Sequence, residues 1–380
     1  MVKVIDLFAG AGGLSLGASR AGFDICAAVE WDKNAIHTHS INFPNVRHIQ
    51  EDILELNAQT LLKVSNVKQN DLSGIIGGPP CQGFSSIGHG NADDPRNTLF
   101  IKFFYFVQEL QPLFFIAENV PGIMNTKYDS IRTQAFNLLN NYSILPPIAV
   151  NASDFGAPTS RTRIFFIGYR KSARIKPITI ADIELMKVAP SDKTTVRQAL
   201  EGLPGDIRYS PKSVGTKLVN EDYLCAGGKR IQSDFIYDRF TGNIPNGIGD
   251  QEYIDNYING RIINGCIPTK HRDDVKKRYS SLKYGQRDEV SKATKLDPDK
   301  FCPTIRAGTG PDKGSFQAVR PIHFKYSRVI TPREAARLQG FPDWFKLPDT
   351  IWHSFRQIGN SVSPIAAEKI MASVYQKLIL

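Results

Sequence analysis

The first half of the chain alternates short apolar runs with stretches of helical periodicity, and this alternation constrains the fold more than any other feature. It is typical of a parallel α/β sheet, because parallel strands need a long crossover connection. The apolar runs predict strands at Val2–Leu7, Ile25–Glu30, Gly74–Ile76, Phe114–Glu118, Ile144–Val150 and Ile164–Gly168. The stretches between them predict helices at Gly13–Ala21, Lys33–Asn42, Leu99–Leu110 and Ile131–Asn140. A doubly wound α/β sheet is expected.

After about Lys171 this alternation fades, and Gly, Pro, Asn and Tyr become frequent. Helical signals return where Thr331 can cap a helix that has Pro332 at its first position, and a last helix is expected from about Val362. These changes predict a large domain in residues 1–175 that is completed by residues 350–380. Residues 176–349 then form a second, smaller domain and a hinge.

Charge and cysteine content narrow the functional classes. The net charge of +10 suits a polyanionic partner, although the mixed-charge stretch from Lys270 to Arg287 is also compatible with a solvated face. The cysteines are odd in number (5) and none forms a Cys-x-x-Cys pair, so neither a disulfide framework nor a metal site is expected. No signal peptide or apolar run of ~20 residues is present, which predicts a cytoplasmic protein.

A glycine-rich segment, Asp6-Leu7-Phe8-Ala9-Gly10-Ala11-Gly12-Gly13, joins the first strand to the first helix. It is either an ordinary turn or a ligand loop, and two acids favour the ligand loop. Glu30 ends the second strand and could hold a ribose, while Asp52 could accept a hydrogen bond from an adenine amine. Ser15 stands where a dinucleotide motif has its third glycine, so a cofactor with adenosine but no phosphate fits better than a dinucleotide.

Two further strand ends carry reactive groups. Cys81 lies in the turn Gly77-Gly78-Pro79-Pro80-Cys81-Gln82, where prolines hold a thiol at the carboxyl edge of the sheet. A cysteine in this position is typical of a nucleophile rather than of core packing. Glu118 ends the apolar run Phe114–Ala117, and desolvation there would raise its pKa and allow it to donate a proton. The alternative for Glu118 is a helix cap or a surface acid.

A thiolate and a proton donor of this kind fit one reaction on cytosine. Carbon 5 is too weakly nucleophilic to take a methyl group from a sulfonium, but addition of a thiolate at carbon 6 converts the ring to an enamine. Protonation of the ring nitrogen favours that addition. The thiolate must approach perpendicular to the ring, so the base would have to be flipped out of the duplex.

From residue 4 to residue 364, apart from the divergent middle, the chain resembles the bacterial DNA (cytosine-5) methyltransferases of restriction-modification systems. The motifs that carry the resemblance are the glycine loop, Pro79-Pro80-Cys81-Gln82, Glu118-Asn119-Val120, Arg161-Thr162-Arg163, residues 333–342 and Gln357-Ile358-Gly359-Asn360-Ser361-Val362. The catalytic residues that it implies are Cys81, Glu118, Arg161 and Arg163. Implied contacts to S-adenosyl-L-methionine are Asp6, Phe8, Ala9, Gly10, Gly12, Gly13, Leu14, Glu30, Trp31, Asp52, Ile53, Pro80, Asn360 and Val362.

The resemblance also implies a Rossmann-like methyltransferase sheet, a smaller target-recognition domain, and double-stranded DNA in the cleft between them. Gln82, Ser85 and Asn119 are expected to contact the substrate. Arg306 either reads a base or belongs to a structural turn. The protein is expected to be a nucleoid-associated monomer that needs no contact with a paired restriction endonuclease.

Three alternatives stay open from the sequence. A transfer-RNA cytosine methyltransferase would share the catalytic core, although the long segment from Lys171 to Ile330 and the absence of a Cys-Phe-Thr signature disfavour it. A nicotinamide oxidoreductase would explain the glycine loop and Glu30 but not Cys81. An inactive DNA-binding regulator is disfavoured because the reactive residues are intact.

Overall fold

The computed structural model describes residues 2–80, 98–203, 243–260, 263–308 and 319–379. Its strands are β1 (Val2–Leu7), β2 (Phe23–Val29), β3 (Arg47–Ile49), β4 (Leu72–Gly77), β5 (Phe114–Asn119), β6 (Tyr142–Ile144), β7 (Ile148–Asn151) and β8 (Thr162–Arg170). Its helices are α1 (Gly13–Arg20), α2 (Lys33–Asn42), α3 (Ala58–Ser65), α4 (Thr98–Leu110), α5 (Asp129–Asn137), α6 (Ile180–Glu184), α7 (Val196–Leu200), α8 (Gln251–Gly260), α9 (Asp273–Ser281), α10 (Pro332–Gln339), α11 (Ile351–Asn360) and α12 (Pro364–Leu378).

The strands form one sheet in the order β3-β2-β1-β4-β5-β8-β6, and β7 also pairs with β8. The neighbours from β3 to β5 are parallel, whereas β8 is antiparallel to β5, β6 and β7. The chain runs outward from β1 to β3 and then returns to place β4 on the other side of β1. This reversal defines a doubly wound sheet, so the predicted fold class is confirmed.

Both faces of the sheet are buried. Val4 and Ile76 belong to one hydrophobic cluster, while their neighbours Ile5 and Ile75 belong to another, and all four side chains are fully buried. Successive strand residues point to opposite faces, so a near-continuous apolar run supplies two cores at once. α1 and α12 contribute to the first core, and α3, α4 and α5 contribute to the second.

Helices α6 to α9 and α11 were not predicted, and in the first half of the chain the observed elements differ from the sequence prediction at three further places. The predicted strand Ile144–Val150 is two strands, β6 and β7, because Pro146 and Pro147 interrupt it. β3 was not predicted, since three residues carry too little periodicity. α3 was also missed, although Asn57 caps it by accepting a hydrogen bond from Thr60 N at 2.8 Å.

The carboxyl-terminal helix packs directly on the first helix. A Cβ built on Gly17 of α1 would lie 2.4 Å from the Cβ of Ala367 in α12, so only glycine permits this approach. The same core cluster includes Ile183, Val196 and Leu338, which come from the region predicted as a second domain. The division of the chain into two domains stays a prediction.

Candidate active site

Several of the predicted site residues lie at one edge of the sheet. The carboxyl ends of β1 to β5 lie together there because these strands are parallel. β8 runs antiparallel to β5, with Asn119 opposite Ile164, so the amino end of β8 reaches the same edge. The glycine loop, Glu30, Asp52 and Glu118 therefore meet at the edge where open α/β sheets bind ligands.

The glycine loop is held by its backbone in an unusual conformation. Phe8, Gly10 and Gly12 have φ angles of 64°, 57° and 100°, in the left-handed region. For Phe8 this costs roughly 1–2 kcal/mol, which surrounding hydrogen bonds must offset. Ala9 N donates to Val29 O, and Gly12 N donates to Ala9 O, both at 3.0 Å. A Cβ built on Gly10 would meet nothing within 4 Å, so this side of the loop is open.

The end of α11 closes against the start of α1. A Cβ on Gly13 would lie 2.5 Å from the carbonyl oxygen of Val362, and the side chains of Leu14 and Val362 are both buried. Gln339 Nε2 donates to Ser361 O at 2.7 Å and fixes this segment. Asn360 is exposed at the end of the helix. The last predicted motif thus lies beside the glycine loop, 349 positions away in the chain.

Glu30 connects the glycine loop to the second strand. One carboxylate oxygen accepts a hydrogen bond from Gly10 N at 2.9 Å, and the other accepts from Asp32 N at 2.8 Å. Burial raises the pKa of Glu30, and the two backbone donors partly offset this. Each carboxylate oxygen can accept a further bond, so both can still receive ribose hydroxyls. Trp31 follows with 73% of its surface exposed, which leaves a ring face free for stacking.

The other two predicted acids have different positions. Asp52 lies after β3 and accepts a hydrogen bond from Leu54 N at 3.0 Å, while Ile53 beside it is buried. Asp6 is fully buried beneath the glycine loop and accepts from Ser15 Oγ at 2.5 Å. The contact of Asp6 with a cofactor stays a prediction.

Glycines at the end of β4 allow the strand to approach its neighbours. A Cβ on Gly77 would lie 2.2 Å from Leu7 O, and one on Gly78 would lie 3.1 Å from Glu118 Oε2. Asn119 Nδ2 donates to Pro79 O at 3.2 Å and joins the ends of β4 and β5. Pro80 ends this described segment, and Cys81, Gln82 and Ser85 lie outside the described residues.

Glu118 forms a buried ion pair with Arg163. Arg163 Nε lies 2.8 Å from Glu118 Oε1, and both side chains are largely buried. Burial raises the pKa of Glu118, while the positive charges of Arg163 and Arg161 offset part of the increase. A carboxyl with a raised pKa can exchange a proton near neutral pH. The predicted acid and the predicted second arginine are therefore brought into contact.

Comparisons with known proteins agree with this geometry. A model of C-5 cytosine-specific DNA methylases matches residues 2–376. The chain belongs to this family. This methylase is 35% identical to the type II methyltransferase M.XorII of Xanthomonas oryzae pv. oryzae, over 98% of this chain and 84% of that protein. It is 33% identical to M.DdeI of Desulfomicrobium norvegicum, over 97% and 87%.

Solved structures show the same fold. A crystal structure from E. coli, of a protein assigned as a prophage-encoded DNA modification methyltransferase, superposes with a TM-score of 0.85 at 49% identity and covers 100% of both chains. S. pombe Dnmt2 has a TM-score of 0.62 at 16% identity, over 100% of this chain and 99% of that one, which shows the fold alone. The methylase is thus a DNA (cytosine-5) methyltransferase, and the oxidoreductase alternative is excluded.

Arg161 joins two distant backbone segments, and its predicted catalytic role stays a prediction. Its buried guanidinium donates to Ile305 O at 3.1 Å and to Gly359 O at 2.8 Å. A Cβ on Gly359 would lie 2.4 Å from Ala307 N, so these two segments are in close contact. The positive charge of Arg161 also lowers the pKa of Glu118. Arg306 lies between Ile305 and Ala307 in the sequence, and its side chain is exposed.

In the described part of the chain, none of the helices is long and apolar enough to cross a membrane.

Proposed function

We propose that this methylase transfers a methyl group from S-adenosyl-L-methionine to carbon 5 of a flipped-out cytosine in double-stranded DNA, through a covalent adduct with Cys81. The observation that carries the proposal is the buried Glu118–Arg163 ion pair at the end of β5. Asn119 joins this pair to Pro79, and the sequence places Cys81 two residues later. A proton donor and a nucleophile thus come from neighbouring strand ends.

The residues at the glycine loop fit S-adenosyl-L-methionine, which supplies an electrophilic methyl group when bound. The open side of Gly10 would receive the ligand, Glu30 would accept hydrogen bonds from the ribose hydroxyls, and Trp31 would stack on adenine. Asp52 would accept a hydrogen bond from the adenine amine. The carboxylates would also favour the positive charge of the sulfonium.

The protein's own groups would perform the covalent steps. The Cys81 thiolate adds to carbon 6 of cytosine while Glu118 gives a proton to ring nitrogen 3, so that carbon 5 becomes an enamine carbon. Arg163 would hold both Glu118 and the flipped base, so that the proton donor faces the ring. Carbon 5 would take the methyl group as its bond to the sulfonium breaks, which leaves S-adenosyl-L-homocysteine. The carbon 5 proton would then pass to water, the bond to Cys81 would break, and nitrogen 3 would return its proton to Glu118. These steps restore the aromatic ring and the free enzyme.

The DNA would be read by residues 176–349 as a target-recognition domain, with Arg306 at the contact surface and Gln82 and Ser85 as further contacts. Because relatives are type II methyltransferases, we propose that methylation protects host DNA from a paired endonuclease at the nucleoid. The enzyme would act as a monomer.

Methylation of unmodified plasmid followed by bisulfite sequencing tests the proposal. Protected cytosines should appear at one recurrent sequence, only when S-adenosyl-L-methionine is supplied. Incubation with a duplex that carries 5-fluorocytosine at that site should trap a covalent complex, because the fluorine cannot be removed. Absence of both methylated cytosines and the trapped complex would indicate an inactive DNA-binding protein instead.

A further inference from the structure

A chain of four polar side chains lies beneath the glycine loop, and the reaction does not use it. Asp6 Oδ2 accepts from Ser15 Oγ at 2.5 Å, Ser15 Oγ lies 3.1 Å from His39 Nε2, and His39 Nδ1 lies 2.9 Å from His48 Nε2. Asp6, Ser15 and His39 are fully buried, whereas His48 on β3 is partly exposed. The chain thus runs from the loop toward solvent.

The direction of each hydrogen bond in this chain depends on whether Asp6 is protonated. With Asp6 ionised, the Ser15 hydroxyl hydrogen goes to Asp6, so His39 must donate to Ser15 from Nε2 and accept from His48 at Nδ1. With Asp6 protonated, every bond can reverse: Asp6 donates to Ser15, Ser15 donates to His39 Nε2, and His39 donates to His48. In both directions a neutral His39 supplies one donor and one acceptor.

The chain is in direct contact with the glycine loop. Asp6 precedes the loop and Ser15 follows it, so their hydrogen bond fastens the two ends together. A Cβ on Gly12 would lie 3.1 Å from His39 Cδ2 and 2.4 Å from Phe43 Cε2, so the two rings form the floor of the loop. These rings are stacked, with centroids 4.2 Å apart.

We propose that His39 is a positioning residue for cofactor binding, which maintains the left-handed conformations of Phe8, Gly10 and Gly12 through Ser15 and Asp6. This inference rests on the proposed binding of S-adenosyl-L-methionine by that loop. The loop conformation is unfavourable at Phe8, so it must be maintained by contacts from below. His39 supplies two of these contacts, a hydrogen bond to Ser15 and the surface under Gly12.

The pKa shifts of Asp6 and His39 agree with this arrangement. Burial, opposed by the Ser15 bond and reinforced by the nearby charge of Glu30 from β2, raises the pKa of Asp6 to about 7. Burial and His48 from β3 lower the pKa of His39 well below its ordinary value, which keeps the ring neutral. Asp6 can therefore change protonation near neutral pH while His39 serves either direction of the chain.

Four single variants of the full-length enzyme test the proposal. His39→Leu removes the donor and the acceptor, His39→Gln keeps one of each, and Ser15→Ala breaks the chain with the smallest change of shape. His37→Leu is the matched control, because His37 is exposed on the same helix. Titration calorimetry gives the affinity for S-adenosyl-L-methionine, thermal unfolding reports folding, and steady-state kinetics separate the KM of each substrate from kcat.

We expect His39→Leu and Ser15→Ala to weaken S-adenosyl-L-methionine binding by about tenfold or more, because the first removes the ring that bonds Ser15 and the second leaves the buried Asp6 and His39 without their shared partner. KM for DNA and kcat should change much less, and His39→Gln should restore most of the affinity. A purely structural role would instead lower the unfolding temperature without this selective effect or the rescue. Folded variants with wild-type affinity would overturn the proposal, whereas a wild-type enzyme that binds no S-adenosyl-L-methionine would overturn the proposed function itself.

Discussion

At the scale of single residues, burial and charge act on Glu118 in opposite directions. Burial favours the neutral carboxyl, while Arg163 and Arg161 favour the carboxylate, and burial is the larger effect on its pKa. The rate should therefore fall as the pH rises through the pKa of Glu118, because the protonated form gives the proton. Glu118→Gln can hydrogen-bond but cannot transfer a proton, so single-turnover methylation should slow by about 10²–10⁴-fold. A Gln variant with wild-type rates at every pH would contradict this role.

Cys81 is tested by its closest isostere. Cys81→Ser should abolish methylation while leaving DNA affinity largely intact, because an alcohol is a far poorer nucleophile than a thiolate. Methyl transfer to duplex DNA and binding by gel shift give the two readouts. Cys26→Ser is the control, since Cys26 lies in β2 and should leave the rate unchanged. Substantial methylation by the Cys81 variant would remove this residue from the mechanism.

The raised pKa of Asp6 predicts that the unfolding free energy depends on pH. Its pKa rises from 3.8 to about 7 in the folded protein, so folding retains a proton that the unfolded chain releases. The unfolding free energy should therefore fall as the pH rises between these values and level off above them. Asp6→Asn keeps an acceptor for Ser15 without a charge, so it should exceed wild type in stability at pH 8 by on the order of 2–4 kcal/mol, and the gap should narrow at acidic pH. Urea unfolding across pH measures it, with the exposed Asp71→Asn as control.

At the scale of elements, the long periodic segments were predictable and the side-chain connections were not. β1 and α2 have the predicted bounds. α2 begins after Asp32, whose side chain caps it by accepting from Asn34 N and Ala35 N, and it ends before Pro44. The chain from Asp6 to His48 left no signal, since its members come from four elements and form no motif. The same holds for Arg161, whose bonds to Ile305 and Gly359 span 144 and 198 positions. The residue types indicated the chemistry but not which backbone groups the Arg161 guanidinium would bind.

The α1–α12 contact gives a prediction for packing. Gly17→Ala would gain up to about 1 kcal/mol in helix propensity. Its Cβ, however, would lie 2.4 Å from Ala367 Cβ and 2.7 Å from Glu368 N, and the second atom is backbone. Overpacking typically costs about 1–3 kcal/mol, so the variant should be less stable than wild type. Adding Ala367→Gly should recover part of the loss in urea unfolding. A stabilised Gly17→Ala would show that the helices separate without cost.

At the scale of the whole molecule, the active site depends on distant parts of the chain meeting at one sheet edge. Arg161 is the clearest example, because this single buried side chain, immediately before β8, donates hydrogen bonds to Ile305 in the segment before Arg306 and to Gly359 near the end of α11. The segment that carries Arg306 is thereby attached to the strand that supplies Arg163. If the proposed cytosine binds beside Glu118 and Arg163, Arg306 would read a base near that cytosine.

Arg306 provides the test of this arrangement. Its exposed guanidinium has the fork geometry that pairs with guanine, although a phosphate contact would use the same charge. If it reads a base, Arg306→Ala should cost about 1–3 kcal/mol and relax discrimination at one position of the mapped site. If it contacts only phosphate, the affinity for all DNA sequences should weaken alike and the salt dependence of binding should become shallower.

The control variant is Lys277→Ala, which removes one positive charge from the exposed surface of α9. Affinities for the site and its single-base variants at two salt concentrations separate these outcomes, and unchanged affinity and discrimination would remove Arg306 from the recognition surface.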